Sequence, residues 1–413
     1  MNGKKGVRFL LVLLVISGGL LLLSMFGITQ KPVRGAKRFQ LQHTHQSEPD
    51  HKPETTTSIE SNEPEVTQSK EPEDTAPALY DLPIVGNDPD QLPASGASLR
   101  LWPQTLAIPK LYDANLSQYY GQASVPLPLS GITVILDASR GGTDTGAVWG
   151  AGEDAVMEKT IVLEIAGEAE KALTQLGASV VQTRTTDEEF SLFWTVAKAA
   201  DVALMRYGEL AETEGYKRDV IDNLTLLMGD IIRINQNSPA SGGRGLFGSI
   251  GTPPQLRILY DIEAQYTDIL FINIALAYDA DDSSRGGSQA YYMSAPFVEQ
   301  VNNGYAAGQD ALTLPPNYTN IDSVGRAHLA SLLKAALGRL EPWLKPEDQV
   351  NAGQEKDMAI LRLTNYVSTS FVPGYLSNES DRAILTSPQG RGIIGQAIAN
   401  AVLQYFVTPH VDS

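Results

Sequence analysis

Cysteine is absent from the 413 residues. Disulfides, thiolate nucleophiles, cysteine-ligated metal sites and a lipid-modified cysteine are excluded with it. Histidine is almost as scarce. Of the five, His43, His45 and His51 fall in a polar stretch, which leaves His328 and His410 for folded sequence. Positive charge is also in deficit, with 31 Lys and Arg against 48 Asp and Glu and a formal net charge of −17. Nucleic-acid binding needs a Lys/Arg-rich face that releases counterions, so that class is set aside. Strong adhesion to an anionic membrane surface is disfavoured for the same reason. What the chain does have is 42 % hydrophobic residues, enough for one sizeable core once the polar stretch is set apart.

Lys4, Lys5 and Arg8 precede an uncharged apolar run from Phe9 to about Thr29 (FLLVLLVISGGLLLLSMFGIT). That run matches the roughly 20 residues a bilayer span requires. A cleaved signal peptide has a shorter apolar core, about 7–15 residues, and no small-x-small cleavage site follows here. Residues 1–30 are therefore predicted to be a signal anchor that crosses the cell membrane once as a helix. The positive-inside count is nearly balanced, because Lys31, Arg34, Lys37 and Arg38 follow the span. Residues 31–97 are rich in Pro, Glu, Ser and Thr and are predicted to form a disordered, self-repelling linker. The three linker histidines sit among Glu and Pro and read as part of a solvated tether.

Residues 98–413 are expected to fold as one α/β domain. Gly131–Asp137 (GITVILD), Ser179–Thr183 and Asp268–Ala275 (DILFINIA) read as buried strands. Glu158–Leu176 carries Ile161, Ile165, Ala169 and Leu173 at helical spacing, and Gly177 stops it. Strands alternating with helices predict a mixed, largely parallel sheet flanked by helices. An insertion at about 207–262 holds a second amphipathic stretch, Asp219–Ile234, and then a Gly/Ser/Pro-rich loop. It reads as a helix packed on the body, with a lid or docking element as the sharper alternative.

Five stretches, in order, resemble the catalytic domain of the zinc-dependent N-acetylmuramoyl-L-alanine amidases. VILDASRGGTDTGAVWG is similar to the family's Asp-Pro-Gly-His-Gly-Gly turn, Glu158-Lys159 to its Glu-Lys, and VVQTRTTDEEFSL to its Thr-Arg-x-x-Asp stretch. RGGSQAYYMS resembles its Gly-aromatic strand, and GYLSN its Gly-Phe-x-Ser-Asn turn before a closing helix, here Ile393–Phe406. The resemblance implies an amidase-like fold, an extracytoplasmic bulk, and peptidoglycan or a cell-envelope protein as partner.

The family's chemistry uses two histidines and a glutamate as zinc ligands, with a further glutamate as base. Carried over, the first histidine position holds Arg140, in the turn with Asp137 and Ser139. Glu158 keeps the ligand glutamate, Ala275 stands for the second histidine, and Val372 stands for the base. Arg140 is charged at any accessible pH. At about 4 Å it would oppose a divalent ion by roughly 8 kcal/mol at an effective dielectric of 20. That rivals the roughly 10–16 kcal/mol by which a good zinc site binds. Zinc binding is therefore expected to be lost and no other cofactor is implied. Arg140 and Glu158 are instead expected within ion-pair reach of each other.

These readings give a membrane-anchored pseudo-amidase that binds peptidoglycan or regulates a wall hydrolase. One rival is an active amidase with a metal site rebuilt from Asp137, Asp144, Glu158 or His328. A scaffold acting through the inserted helix is another. Ser139 has no histidine to activate it as a nucleophile. Tyr291 and Tyr292 read as sheet packing before they read as a glycan platform.

Overall fold

The computed structural model describes residues 78–86, 99–188, 190–235, 247, 250–310, 313–345 and 352–409. The apolar run Phe9–Thr29, most of the linker, most of the Gly-rich loop after residue 235 and His410 lie outside them. Among the described residues no helix is long and apolar enough to cross a membrane.

In chain order the elements are β1 (Thr133–Ala138), β2 (Val148–Trp149), β3 (Val156–Met157), α1 (Glu158–Gln175) and β4 (Ser179–Gln182). Two long helices follow, α2 (Leu192–Thr213) and α3 (Asp219–Asn235), and then α4 (Arg257–Glu263), β5 (Ile269–Ile274) and β6 (Gln289–Tyr292). The remainder is α5 (Ala295–Ala306), α6 (Ser323–Leu340), β7 (Gln354–Glu355), α7 (Ala359–Arg362), β8 (Val367–Val372), α8 (Glu379–Thr386) and α9 (Pro388–Val407).

The main sheet has the order β4-β1-β5-β8-β6-β7. β4, β1, β5 and β8 run parallel, while β6 is antiparallel to β8. Every residue of β1, β5 and β8 is buried, as central parallel strands covered on both faces should be. Alternation divides them between two cores. Val134, Leu136, Leu270 and Ile272 face α1, α6 and α9, whereas Ile135 and Phe271 face α2, α3 and α4.

α1 ends as its sequence foretold. Gly177 takes φ +93°, its N–H donates to Thr174 O, and Ala178 N–H donates to Leu173 O, a Schellman closure. α2, α5, α6, α8 and α9 each start on a Ser, Asp or Asn whose side chain accepts a backbone N–H of the first turn. The cap of α8 is Asn378 of GYLSN. Asp381 in its first turn accepts from Tyr375 N–H at 2.9 Å and Gly287 N–H at 2.8 Å. Two stretches that resemble the family separately are thus held together by one buried carboxylate.

Two differences from the sequence reading stand out. Residues 78–86, assigned to the linker, lie against the body: Tyr80 exchanges backbone hydrogen bonds with Gly215 and Lys217, and Leu82 is buried. The reason is local. This short piece carries Leu79, Tyr80, Leu82 and Ile84 within six residues, a density of apolar side chains that the stretch before it lacks. The insertion forms a hairpin of α2 and α3, with Ile221, Leu224, Met228 and Ile231 of α3 buried. The apolar stripe of this helix is spent on packing, in agreement with the plainer reading.

Candidate functional site

Parallel strands bring their C-terminal ends to one edge, and ligand sites of α/β sheets form there. Ala138 of β1 aligns with Ile274 of β5, and Ile274 aligns with Phe371 of β8. Ser139 N–H donates to Ile274 O and Ala275 N–H to Phe371 O. Arg140, Ala275 and Val372, each just past or at the end of its strand, therefore stand side by side. α1 begins at the same edge, with Glu158 as its first residue.

Glu158 is 1 % exposed and fully engaged. Its Oε1 accepts from Leu276 N–H at 2.9 Å and its Oε2 from Ala147 N–H at 2.8 Å. Arg140 Nε lies 3.6 Å from the same Oε2, and Arg140 Nη1 lies 3.2 Å from Asp144 Oδ2. The expected ion pair is present. Arg140 adopts φ +69°, a left-handed conformation uncommon for a residue with a side chain, so its guanidinium reaches back over the turn. Gly146, at φ +64°, makes room for it, because a Cβ there would stand 2.3 Å from Glu158 Oε2 and 2.8 Å from Arg140 Cγ. Gly146→Ala is expected to destabilise the fold by about 2 kcal/mol. An unchanged thermal midpoint would show that the Arg140–Glu158 contact does not need this space.

Asp137 and Ser139 belong to a buried polar network beside the pair. Asp137 Oδ1 accepts from Thr183 Oγ1 and its Oδ2 from Asn273 Nδ2, both at 2.7 Å. Asn273 Nδ2 also reaches Ser139 Oγ at 2.9 Å, and Ser370 Oγ donates to Asn273 Oδ1 at 2.7 Å. Burial pushes the Asp137 carboxyl above the usual range, while Thr183, Asn273 and the Arg184 charge oppose the shift. Arg184 ties the turn to the helix, donating to Ala138 O, Ser139 O and Lys159 O at 2.7, 3.0 and 2.8 Å. Lys159 Nζ bridges Gly142 O and Asp187 Oδ2, both at 2.7 Å. Partial burial of Asp187, which opposes ionisation, is outweighed by Lys159 and the Gly142 N–H, so its carboxyl titrates below the usual range.

Above this floor opens a cleft of about 270 Å³. Arg140, Ser139 and Asn273 line its polar side, Ala275 adds a methyl group, and Phe190, Leu192, Met358 and Ile360 supply an apolar wall. Val372 is buried beside the cleft without lining it.

The residues present do not suit a zinc ion. Two positions offer a guanidinium and a methyl group, and both oxygens of the carboxylate already accept backbone N–H groups. Asp137 is held by Thr183 and Asn273, while Asp144 and Glu158 share the guanidinium of Arg140. Among the described residues no three His, Asp or Glu side chains gather closely enough to hold an ion. His328, on α6, has its ring 5.8 Å from that of Tyr405 on α9. The rebuilt metal site thus has no geometric basis among these residues. Ser139 Oγ meets an amide and no general base. Tyr292 packs against the core and Lys356 lies 4.3 Å over the ring of Tyr291, in keeping with sheet packing.

Sequence reasoning assigned no role to Arg184, Thr183 or Asn273, although each lies in a stretch it had singled out. Their spacing alone does not say what they touch. Met358 and Ile360 gave no signal at all.

Comparison with known proteins bears on the same segment. A family model described as N-acetylmuramoyl-L-alanine amidase matches residues 134–205, from β1 through Arg140 and Glu158 into α2. The germination-specific N-acetylmuramoyl-L-alanine amidase of Bacillus subtilis is 40 % identical over 65 residues, which span 16 % of this chain and 26 % of that protein. Over this segment the chain is similar to the N-acetylmuramoyl-L-alanine amidases. Two solved family structures align with it over 67 % of its length and 98 % of theirs, at a TM-score of 0.38. They are AmiC2 of Nostoc punctiforme (19 % identical) and the CwlD amidase of Clostridioides difficile in complex with the GerS lipoprotein (20 %). The matched segment holds Glu158, Arg184 and Asp187, with Arg140 in the turn after β1.

Proposed function

We propose that this chain is a non-catalytic member of the N-acetylmuramoyl-L-alanine amidase family that binds peptidoglycan, tethered to the outer face of the cell membrane by its N-terminal apolar run. The reading rests on one observation, the guanidinium of Arg140 set against the buried carboxylate of Glu158. A side-chain cation stands at the end of β1 and each oxygen of Glu158 already accepts a backbone N–H, an arrangement that works against a metal ion able to activate water. The cleft above the pair stays open, with polar donors on one side and an apolar wall on the other. Such a cleft suits a peptide or sugar chain that carries both kinds of surface.

The test uses the full chain in detergent with insoluble peptidoglycan. The chain is expected to sediment with the wall material and to release no stem peptides, with or without added zinc. Stem-peptide release together with about one zinc per chain would overturn the non-catalytic reading. Failure to sediment would overturn the binding reading. In intact cells, external protease is expected to remove the folded domain and leave the apolar run in the membrane.

A further inference from the structure

The open side of the sheet carries a surface that the cleft does not use. Among the described residues β4 pairs only with β1. The N–H groups of Ser179 and Thr183 donate to Ile132 and Leu136. Alternation therefore turns the N–H and C=O of Val180 and Gln182 toward the free edge. Natural edge strands are usually blocked by Lys, Pro or a bulge. Ser179–Gln182 has no Lys or Pro, and its register with β1 is unbroken. Val181 is 36 % exposed, on the side facing α2.

A groove of about 400 Å³ runs between β4 and α2, with Thr133 and Ile135 of β1 also lining it. Lys198, Asp201, Val202, Met205, Arg206 and Glu209 border it along the helix. These residues recur at helical spacing and form one stripe. The two halves of the stripe are complements about its midpoint between Ala203 and Leu204. Val202 and Met205 flank that midpoint, Asp201 and Arg206 come next, and Lys198 and Glu209 stand outermost. Set against a second copy running the other way, each charge meets its opposite and the apolar centres meet each other. Met205 is 59 % exposed in the single chain. Asp201 and Arg206 are each half-buried along this stripe, and Arg206 Nη1 makes no hydrogen bond among the described residues. Arg206 is held through its other terminal nitrogen, Nη2, which lies 2.6 Å from Asp268 Oδ2.

We propose that two copies of this chain join edge to edge through β4, antiparallel about a two-fold axis at Val181, with the α2 helices running antiparallel across the join. Val180 of one copy exchanges backbone hydrogen bonds with the partner's Gln182. The two Val181 side chains meet on the axis, and each Asp201 faces the partner's Arg206. A foreign extended peptide also fits an open edge, but it gives no reason for a stripe that complements itself.

The absence of cysteine makes the test direct. Residues facing across a non-hydrogen-bonded antiparallel pair have Cα atoms about 4.5 Å apart. That distance falls within the disulfide range of about 4.4–6.8 Å. The full chain carrying Val181→Cys is expected to give a reducible covalent dimer with diamide. Leu226→Cys, at a site 71 % exposed on α3, controls for chance encounter of tethered chains and should give about tenfold less. In the Val181→Cys background, Lys198→Glu should lower the yield about fivefold, and Lys198→Glu with Glu209→Lys should restore it. Both positions are exposed, so folding is not at stake. Cross-linking at Val181 no greater than at Leu226, or no recovery in the double reversal, would overturn the proposal.

Discussion

Arg326→Met is expected to leave little or no folded protein, a loss of about 5 kcal/mol or more against the 5–15 kcal/mol typical of a domain. Arg326 is completely buried in α6. Its Nε donates to Tyr366 O at 3.1 Å, Nη1 to Met293 O at 3.0 Å and Leu361 O at 3.3 Å, and Nη2 to Thr364 O at 2.8 Å. One side chain thus holds the irregular segment that leads from α7 into β8, together with the end of β6. Methionine fills much of the volume but donates nothing. Carbonyls stripped of a donor in the interior cost about 1–3 kcal/mol each. Met358 and Ile360, which wall the cleft, sit just before this segment, so stability and the site fail together. Arg326→Lys keeps the charge and loses the fork, and should fall between the two. An unfolding free energy for Arg326→Met, from chemical denaturation, within about 1 kcal/mol of the parent would contradict this account.

Glu263→Gln is expected to remove most of a pH dependence that the parent shows between weakly acidic and mildly alkaline conditions. Burial pushes the Glu263 carboxyl from its ordinary 4.5 to about 8, against the opposing effects of the Asn365 N–H and the Arg326 charge. Its Oε2 accepts from Asn365 N–H at 2.6 Å. The sign follows from proton counting. Below pH 4.5 the group is protonated in both folded and unfolded chains and contributes no slope. As pH rises beyond that, the unfolded chain ionises while the folded chain does not, so stability falls. The fall ends once the folded group also ionises, at about 8. At pH 7 the penalty is on the order of 3 kcal/mol, and glutamine should recover most of it. Unfolding free energies measured at pH 5, 7 and 8.5 would decide. Parallel curves for parent and variant would remove Glu263 as the source.

How much of this was legible in the chain depended on pattern. GITVILD and DILFINIA are uninterrupted apolar runs, and Glu158–Leu176 has one clear stripe ended by glycine, so strands and helix emerge at nearly their observed limits. α2 was missed because it is buried around much of its circumference. Ala197, Ala199, Ala200 and Ala203 are all inaccessible, and no clean stripe remains. β8 was missed because Ser368, Thr369 and Ser370 read as polar, although all three are fully buried. The Ser370 hydroxyl donates to Asn273 and that of Thr369 to Tyr291 O, partners found only once the chain is folded. At the site, opposite charges at two aligned positions were enough to anticipate the Arg140–Glu158 contact. The rest of the floor depends on hydrogen bonds between distant residues, such as Asn273 to Asp137 across 136 positions, which no local pattern encodes.

The Arg140–Glu158 contact also changes what the turn after β1 requires from its surroundings. A loop clamped by a dissociable ion is only as rigid as the ion supply allows, and it loosens when a chelator or a starved environment removes the ion. Here the clamping cation is a side chain of the turn it restrains and cannot be exchanged. Treatment with a strong chelator should leave the melting curve unmoved. The loop should be equally well formed in zinc-poor and zinc-rich media, which frees its folding from metal homeostasis.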